Sequence, residues 1–197
     1  MPKVTEEYRS AKRDEIARAA MVAFHRKGFQ ATSMADIIAE SGLSAGAIYG
    51  HYRSKSELII DVAQRVVGAR IGEVEALAEQ VPMPAPAYLV RVLLAGMKNE
   101  LGSFPMLVQI WGEAVADPDV AALARGVIER LRDTFTGYIS LWQQRRHGLS
   151  PADAHVVAVE QCNVFVGAAQ GYILQAALFP KFDGDAYLAA IEKYLPA

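Results

Sequence analysis

Apolar residues recur along this chain at intervals of three and four, the spacing of one helical face. Across 9–27 Ile16, Ala20, Ala23, Phe24 and Lys27 share a face, and Gly28 follows as a stop. Thr32-Ser33 opens a short segment with Met34, Ile37 and Ile38 on one side, and Ser33 with Asp36 has capping-box spacing. Ser41-Gly42-Leu43 breaks it after about two turns. A second short helix is expected from Ser44 to about Tyr52. Ser54-Lys55-Ser56-Glu57, another capping-box spacing, opens a long helix to about Gln80. Pro82, Pro84 and Pro86 mark a loop. Helices over about 86–101 and 104–116 follow, with an interruption at Gly102-Ser103. Asp117-Pro118 and Ser150-Pro151 are N-cap and N1 pairs that start helices to about His147 and 178. A last helix covers about 184–195. No period-2 run stands out, and no Asn-Gly or Asp-Gly turn joins two apolar runs. The expectation is an all-α chain of about nine helices, short ones first.

Composition fits that pattern. The 197 residues are 52% hydrophobic and 21% charged, which excludes disorder of the whole chain. A single cysteine, Cys162, forbids an internal disulfide and argues against a cysteine-built zinc site. The charged N-terminus MPKVTEEYRSAKRDE lacks the apolar core of a signal peptide, and no apolar stretch is long enough to span a membrane. A cytoplasmic protein without cofactor or metal is expected. The net charge of −2 divides into +3 over residues 1–55 and −5 over the remainder. A basic head on an acidic body suggests an anionic partner for the head.

Residues 32–52, TSMADIIAESGLSAGAIYGHY, read as two short amphipathic helices about a turn containing Gly42. This is helix-turn-helix spacing, over about 33–52. In such a unit the second helix lies in the major groove of DNA. Gly46 and Gly50 would let the backbone approach a duplex. Ile48 would anchor the helix to the core, and Tyr49, His51 and Lys55 would donate to phosphates. The helix ends at Ser33 and Ser54 offer amides to phosphate. A plain helical hairpin with a solvated polar face fits the same local pattern.

Residues 12–64 resemble the DNA-binding domain of the tetracycline-repressor (TetR) family. The resemblance rests on Ile16 through Ala20, Phe24, Gly28-Phe29, Thr32, Ile37-Ile38, Ser41-Gly42-Leu43-Ser44, Gly46, Ile48-Tyr49, His51-Tyr52 and Lys55-Ser56-Glu57-Leu58. It implies a three-helix DNA-binding domain at 1–56 and a helical ligand-binding and dimerisation domain at 57–197. It also implies that Thr32 and Ser33 touch phosphate, that Ser44, Ala45, Gly46 and Ala47 lie nearest base edges, and that Tyr49, His51 and Lys55 hold the backbone. Positions 45, 47 and 50 are Ala, Ala and Gly, which make no bidentate base contact. Readout would then rest on methyl groups, on Ser44 or on DNA shape.

The remaining chain carries the resemblance only in layout. The helix at about 151–178 is apolar nearly all round, so it needs packing on more than one side. Gly167, Ala168 and Gly171 would permit close helix approach. A homodimer through this helix and the one at about 118–147 accounts for it, as does an internal helix of a monomer. Phe104, Met106, Trp111, Tyr138, Trp142 and Phe165 stand near Gln109, Glu113, Asn163 and Gln170, a make-up suited to a small apolar or amphipathic ligand or simply to a core. Glu113 and Glu160 would suit a cationic ligand if buried. The histidines are scattered, Cys162 lies among apolar residues, and no phosphate loop or nucleophile elbow is present, so no catalytic residue is assigned. The expectation is a repressor that binds a palindromic double-stranded DNA operator as a dimer and is released by a small-molecule effector. The alternative is a helical binding protein or enzyme whose head is only structural.

Overall fold

The structure, a computed structural model, describes residues 6–101 and 104–195. Among them are nine helices and no strand: α1 (Glu6–Lys27), α2 (Met34–Ser41), α3 (Ala45–Tyr49), α4 (Lys55–Ala78), α5 (Pro86–Leu101), α6 (Pro105–Ala116), α7 (Pro118–His147), α8 (Pro151–Leu178) and α9 (Gly184–Tyr194). The interruption expected at Gly102-Ser103 lies outside the described residues.

Helices α1 to α3 form the head. Ile16, Ala20, Ala23 and Phe24 point inward from α1 and meet Ile37 of α2, Ile48 of α3 and Phe29 of the connecting loop. Burying each of the larger side chains is worth about 1.5–3 kcal/mol. The Phe24 and Phe29 rings stand 5.4 Å apart and tilted. At α2 the capping box is complete: Ser33 Oγ accepts from Asp36 N–H, and the Asp36 carboxylate accepts from Ser33 N–H. Gly42 ends α2 at φ 67°, and Ser44 caps α3 by accepting from Ala47 N–H.

Helix α4 belongs to both parts. Its first turns place Leu58 and Ile59 in the buried core beside α1, and its later residue Val74 is buried farther along in the body. It runs without a break through the division expected at 56/57. In the body α7 packs along α8 and α4, and α6 lies against both α7 and α8. The buried face of α8 is Ala154, Ala158, Cys162, Phe165, Ala169 and Ile173. The Cys162 thiol is buried and directed at the Arg132 carbonyl, 3.6 Å away.

Helix α9 folds back on α5 and α8. Tyr187 donates to the Ala168 carbonyl at 3.0 Å, and a Cβ on Gly171 would lie 2.8 Å from the same hydroxyl. Two of the three small residues expected to admit a partner helix therefore accommodate α9 of the same chain. Gly167 stays exposed, with nothing within 4 Å of a Cβ built there. Phe104, Tyr172, Phe182 and Tyr187 meet edge to face around this corner.

The turn between α2 and α3 yields a prediction. Nothing lies within 4 Å of a Cβ built on Gly42, so only its left-handed backbone constrains it. Gly42→Ala should destabilise the protein by about 1–2 kcal/mol, and Gly42→Asn by less, because asparagine tolerates that region. Urea unfolding of the three proteins tests this; equal midpoints for Ala and Gly would refute it.

Candidate nucleic-acid interface

Helix α3 is seated by two side chains. Ile48 is buried within the helix, and Tyr52 is buried just after it. Tyr52 Oη donates to Asp61 Oδ2 of α4 at 2.6 Å. Arg13 of α1 donates to Asp61 Oδ1 at 2.9 Å, and its guanidinium lies 5.0 Å from the centre of the Tyr52 ring. Burial, then the neighbouring Asp61 carboxylate, hold the Tyr52 hydroxyl well above the usual phenol range. Arg65 donates to Asp61 and to Asp14, closing the group across α1 and α4. A buried ring and a charged network thus fix the C-terminal end of α3.

The other side of α3 is open. Ser44, Ala45, Gly46, Ala47, Tyr49 and Gly50 are exposed, and His51 is half-buried. The Tyr49 side chain is the bulky group on this surface, and its residue is 51% exposed. No acidic residue stands in the first turn of α3, whereas Asp36 and Glu57 occupy those of α2 and α4. Among these three helix ends, α3 alone presents amides without a carboxylate beside them.

Two expected phosphate donors face inward. Thr32 is 2% exposed, and its hydroxyl donates to the carbonyls of Gly28 at 2.7 Å and Ala23 at 3.2 Å. It ties the end of α1 to the loop and is not presented to a duplex. Lys55 Nζ donates to the carbonyls of Phe29 at 2.8 Å and Gln30 at 3.3 Å, 4.4 Å from the centre of the Phe29 ring. Desolvation lowers its pKa. The loop carbonyls left by the end of α1 attract this ammonium more locally than any external anion. Ser33 is exposed, but its N–H and Oγ both bond to Asp36. Asp36 is held below the usual carboxylate range first by Lys27, at 2.5 Å, and then by Ser33.

The basic excess of the head is largely paired. Arg26 meets Glu40 at 2.8 Å, Lys27 meets Asp36, and Lys12 meets Glu15. Arg18 and Arg53 differ: both are exposed and have no side-chain ion pair or hydrogen bond among the described residues, and Arg53 lies between the Tyr52 anchor and the Ser54 cap, close to α3. The signal of Arg53 in the sequence is a basic residue immediately beside the α4 cap.

The residues expected to bind ligand fall into separate places. Trp111, Phe165 and Gln170 line one cavity between α4, α5, α6, α7 and α8. Gln109 and Glu113 do not reach it: they face the head, where Gln109 Oε1 accepts from Phe29 N–H at 2.9 Å and Glu113 accepts from Gln30 at 2.9 Å. Glu160 is exposed. Phe104 and Met106 are core residues. Tyr138 is buried and donates to the Pro84 carbonyl at 2.8 Å, and burial pushes its hydroxyl up to about 12. Trp142 packs on His147, and the exposed Asn163 accepts from Arg132. Residue type alone did not separate cavity wall from core, because the two have the same chemistry.

The inward turn of Lys55 has a measurable consequence. Lys55→Met should lower stability by about 1–2 kcal/mol, since two carbonyls lose a charged donor. The salt dependence of DNA binding should stay as in the wild type. Chemical unfolding and binding isotherms at several salt concentrations test this; a flatter salt slope with unchanged stability would return Lys55 to the phosphate backbone.

Comparison with known proteins agrees with this head. Residues 16–62 match the profile of "Bacterial regulatory proteins, tetR family". The HTH-type transcriptional regulator YfiR of Bacillus subtilis is 44% identical over 57 residues, which is 29% of this chain and 28% of that protein. The match thus spans under a third of that relative. Solved structures extend the likeness in fold. A transcriptional regulator from Aquifex aeolicus matches with a TM-score of 0.66 at 19% identity, over 92% of this chain and 96% of that one. FadR of Thermus thermophilus, a repressor in complex with lauroyl-CoA, matches with a TM-score of 0.63 at 23% identity, over 93% and 92%. Over residues 16–62, the helices that carry the exposed face of α3, the chain is similar to the tetR family of bacterial regulatory proteins.

Proposed function

We propose that the chain is a ligand-responsive transcriptional repressor that binds a palindromic operator as a homodimer. The observation that carries this reading is the open face of α3, with small exposed residues outside and Ile48 and Tyr52 locked beneath. A helix so placed fits the major groove closely because Ala45, Gly46 and Ala47 project little. Ser44 and the methyl groups of Ala45 and Ala47 would meet base edges. Tyr49, His51 and Arg53 would meet phosphates, and Arg53 replaces Lys55 in that role. With few base-edge hydrogen bonds available, groove shape would carry much of the discrimination.

The exposed side of α8 supports the dimer. Opposite its buried face, Val156, Val159, Val164, Leu174 and Leu178 are exposed around Gly167. A second copy laid there would bury this stripe together with α7. Two heads would then engage half-sites about 34 Å apart, or a multiple of that spacing. Among the described residues no helix is long and apolar enough to cross a membrane.

Release would run through the clamp on Phe29 and Gln30. Lys55 holds these residues from α4, and Gln109 and Glu113 hold them from α6. Ile59 and Ile110, one turn or less from the clamp, line the cavity. A ligand that parts α4 from α6 would shift the head. It releases DNA only if it binds the shifted state better than the DNA-bound one.

Selection from random DNA, scored by anisotropy at fixed salt, should return a palindromic motif. Arg53→Ala should then weaken binding to operator and non-operator DNA alike and reduce the salt slope by about one. Sequence-blind binding only, or none, would overturn the repressor reading. Leu174→Asp, alone or with Val164→Glu, should convert a dimer to a folded monomer in sedimentation. An unchanged dimer mass would remove α8 from the interface.

A further inference from the structure

The cavity in the body has a chemistry that narrows its ligand. It measures about 110 Å³ and is walled by residues from five helices. Among the described residues lining it none is charged, and nearly all are aliphatic or aromatic, as Ile59, Met97, Leu131 and Phe165 are. Two lining residues offer a polar atom: Trp111 through its indole N–H and Gln170 through its amide. Gln170 is exposed although it lines the cavity, so it marks the mouth.

We infer that this cavity binds a neutral molecule about the size of one substituted aromatic ring, its apolar part inside and one polar group at Gln170. The inference rests on the body being an effector domain and adds the class of effector. Size sets the first limit. A cavity of about 150 Å³ lined by aliphatic and aromatic groups holds benzene, so about 110 Å³, open at the Gln170 mouth, takes at most one ring or a short chain and not a long acyl chain. Charge sets the second. A carboxylate or ammonium carried inside loses its hydration and meets no counter-charge on the wall, which disfavours its binding. A single hydroxyl or carbonyl at the mouth keeps a partner in Gln170 or in water.

Three other features carry less. The exposed α8 stripe belongs to the dimer already proposed. The shallow groove between α1 and α4, near Arg18 and Arg65, has nothing on it that selects an occupant. The Arg13–Asp61–Tyr52 group is accounted for by the seating of α3.

Calorimetry on the full-length, DNA-free protein separates the arguments, with toluene, p-cresol, benzoate and benzylammonium as probes. Toluene and p-cresol should bind with one site per chain, and benzoate and benzylammonium at least about tenfold more weakly. Gln170→Leu should weaken p-cresol by about three- to tenfold and leave toluene unchanged. Ala169→Leu, which places two further methyl groups and a methine carbon in the cavity, should abolish binding of both neutral probes. If that variant does not fold, Leu131→Ala serves instead, and it should admit naphthalene, which the wild type excludes. Benzoate or benzylammonium binding as tightly as toluene, or no binding of either neutral probe, would overturn the inference. Operator affinity is measured separately on protein without probe. A chain that binds neutral probes but no operator keeps this ligand class and loses the repressor reading, and the converse result does the opposite.

Discussion

Helix α4 has one end in the head and the other in the body, and the rest of the molecule is arranged around that constraint. Its 24 residues make a rod about 36 Å long. Near its start Leu58 and Ile59 are packed without exposed surface, and Asp61 gathers Tyr52, Arg13 and Arg65. Farther along, Val74 is buried in the body. A rod held at both ends cannot tilt at one without disturbing the other. The position of α3 relative to the body therefore follows from side chains that never approach the open face of α3. The Tyr52 to Asp61 bond is central, because it joins the residue that seats α3 to the helix that leaves the head.

What the sequence disclosed was mostly local. Ser33 with Asp36, Asp117 before Pro118 and Ser150 before Pro151 act within one helical turn, and each cap stands where its spacing put it. The face formed by Ile16, Ala20 and Phe24 was legible for the same reason. Direction was not. Lys55 is a basic residue at the start of a helix, a description that fits a phosphate contact and a loop clamp equally well. The difference lies in the carbonyls of Phe29 and Gln30, about 25 residues earlier in the chain. Thr32 is similar: its hydroxyl is drawn inward by Ala23 and Gly28, and nothing local announces that. In the body, Gly171 and Ala168 looked like a seam for a partner helix. The docking of α9, which local spacing does not report, assigns them to Tyr187.

Charge illustrates a further limit. A surplus of three positive charges over residues 1–55 suggested an anionic partner. Four of the head's cations, Arg9, Lys12, Arg26 and Lys27, are bound to carboxylates within it, and Arg13 is bound to Asp61 of α4; three of these pairs join one helix to another: Arg26 to Glu40, Lys27 to Asp36 and Arg13 to Asp61. Such partly exposed pairs add little stability individually. Their effect on a docked polyanion is larger, because each neutralises a charge that would otherwise act at the surface. Attraction to a duplex is left to a few groups. Arg53 is exposed and without such a pair, and the amides at the start of α3 face outward with no acid beside them. A surface of this kind favours close fit over long-range attraction.

The same economy governs the cavity. Its wall includes Ile59 and Ile60 on α4 and Ile110 and Trp111 on α6. Their near neighbours Lys55 and Gln109 reach the Phe29–Gln30 segment from those two helices. Apolar contacts are non-directional, so a neutral ligand would press on this wall without favouring one bond of the clamp. The clamp supplies the direction. Lys55 and Gln109 grip the carbonyl and the amide of one residue, Phe29, whose ring is buried against Phe24. Any parting of α4 from α6 must lengthen one of these two bonds or move Phe29 within the head core. Close packing resists gradual deformation, so the second course favours a discrete change in the seating of the head over a proportional one.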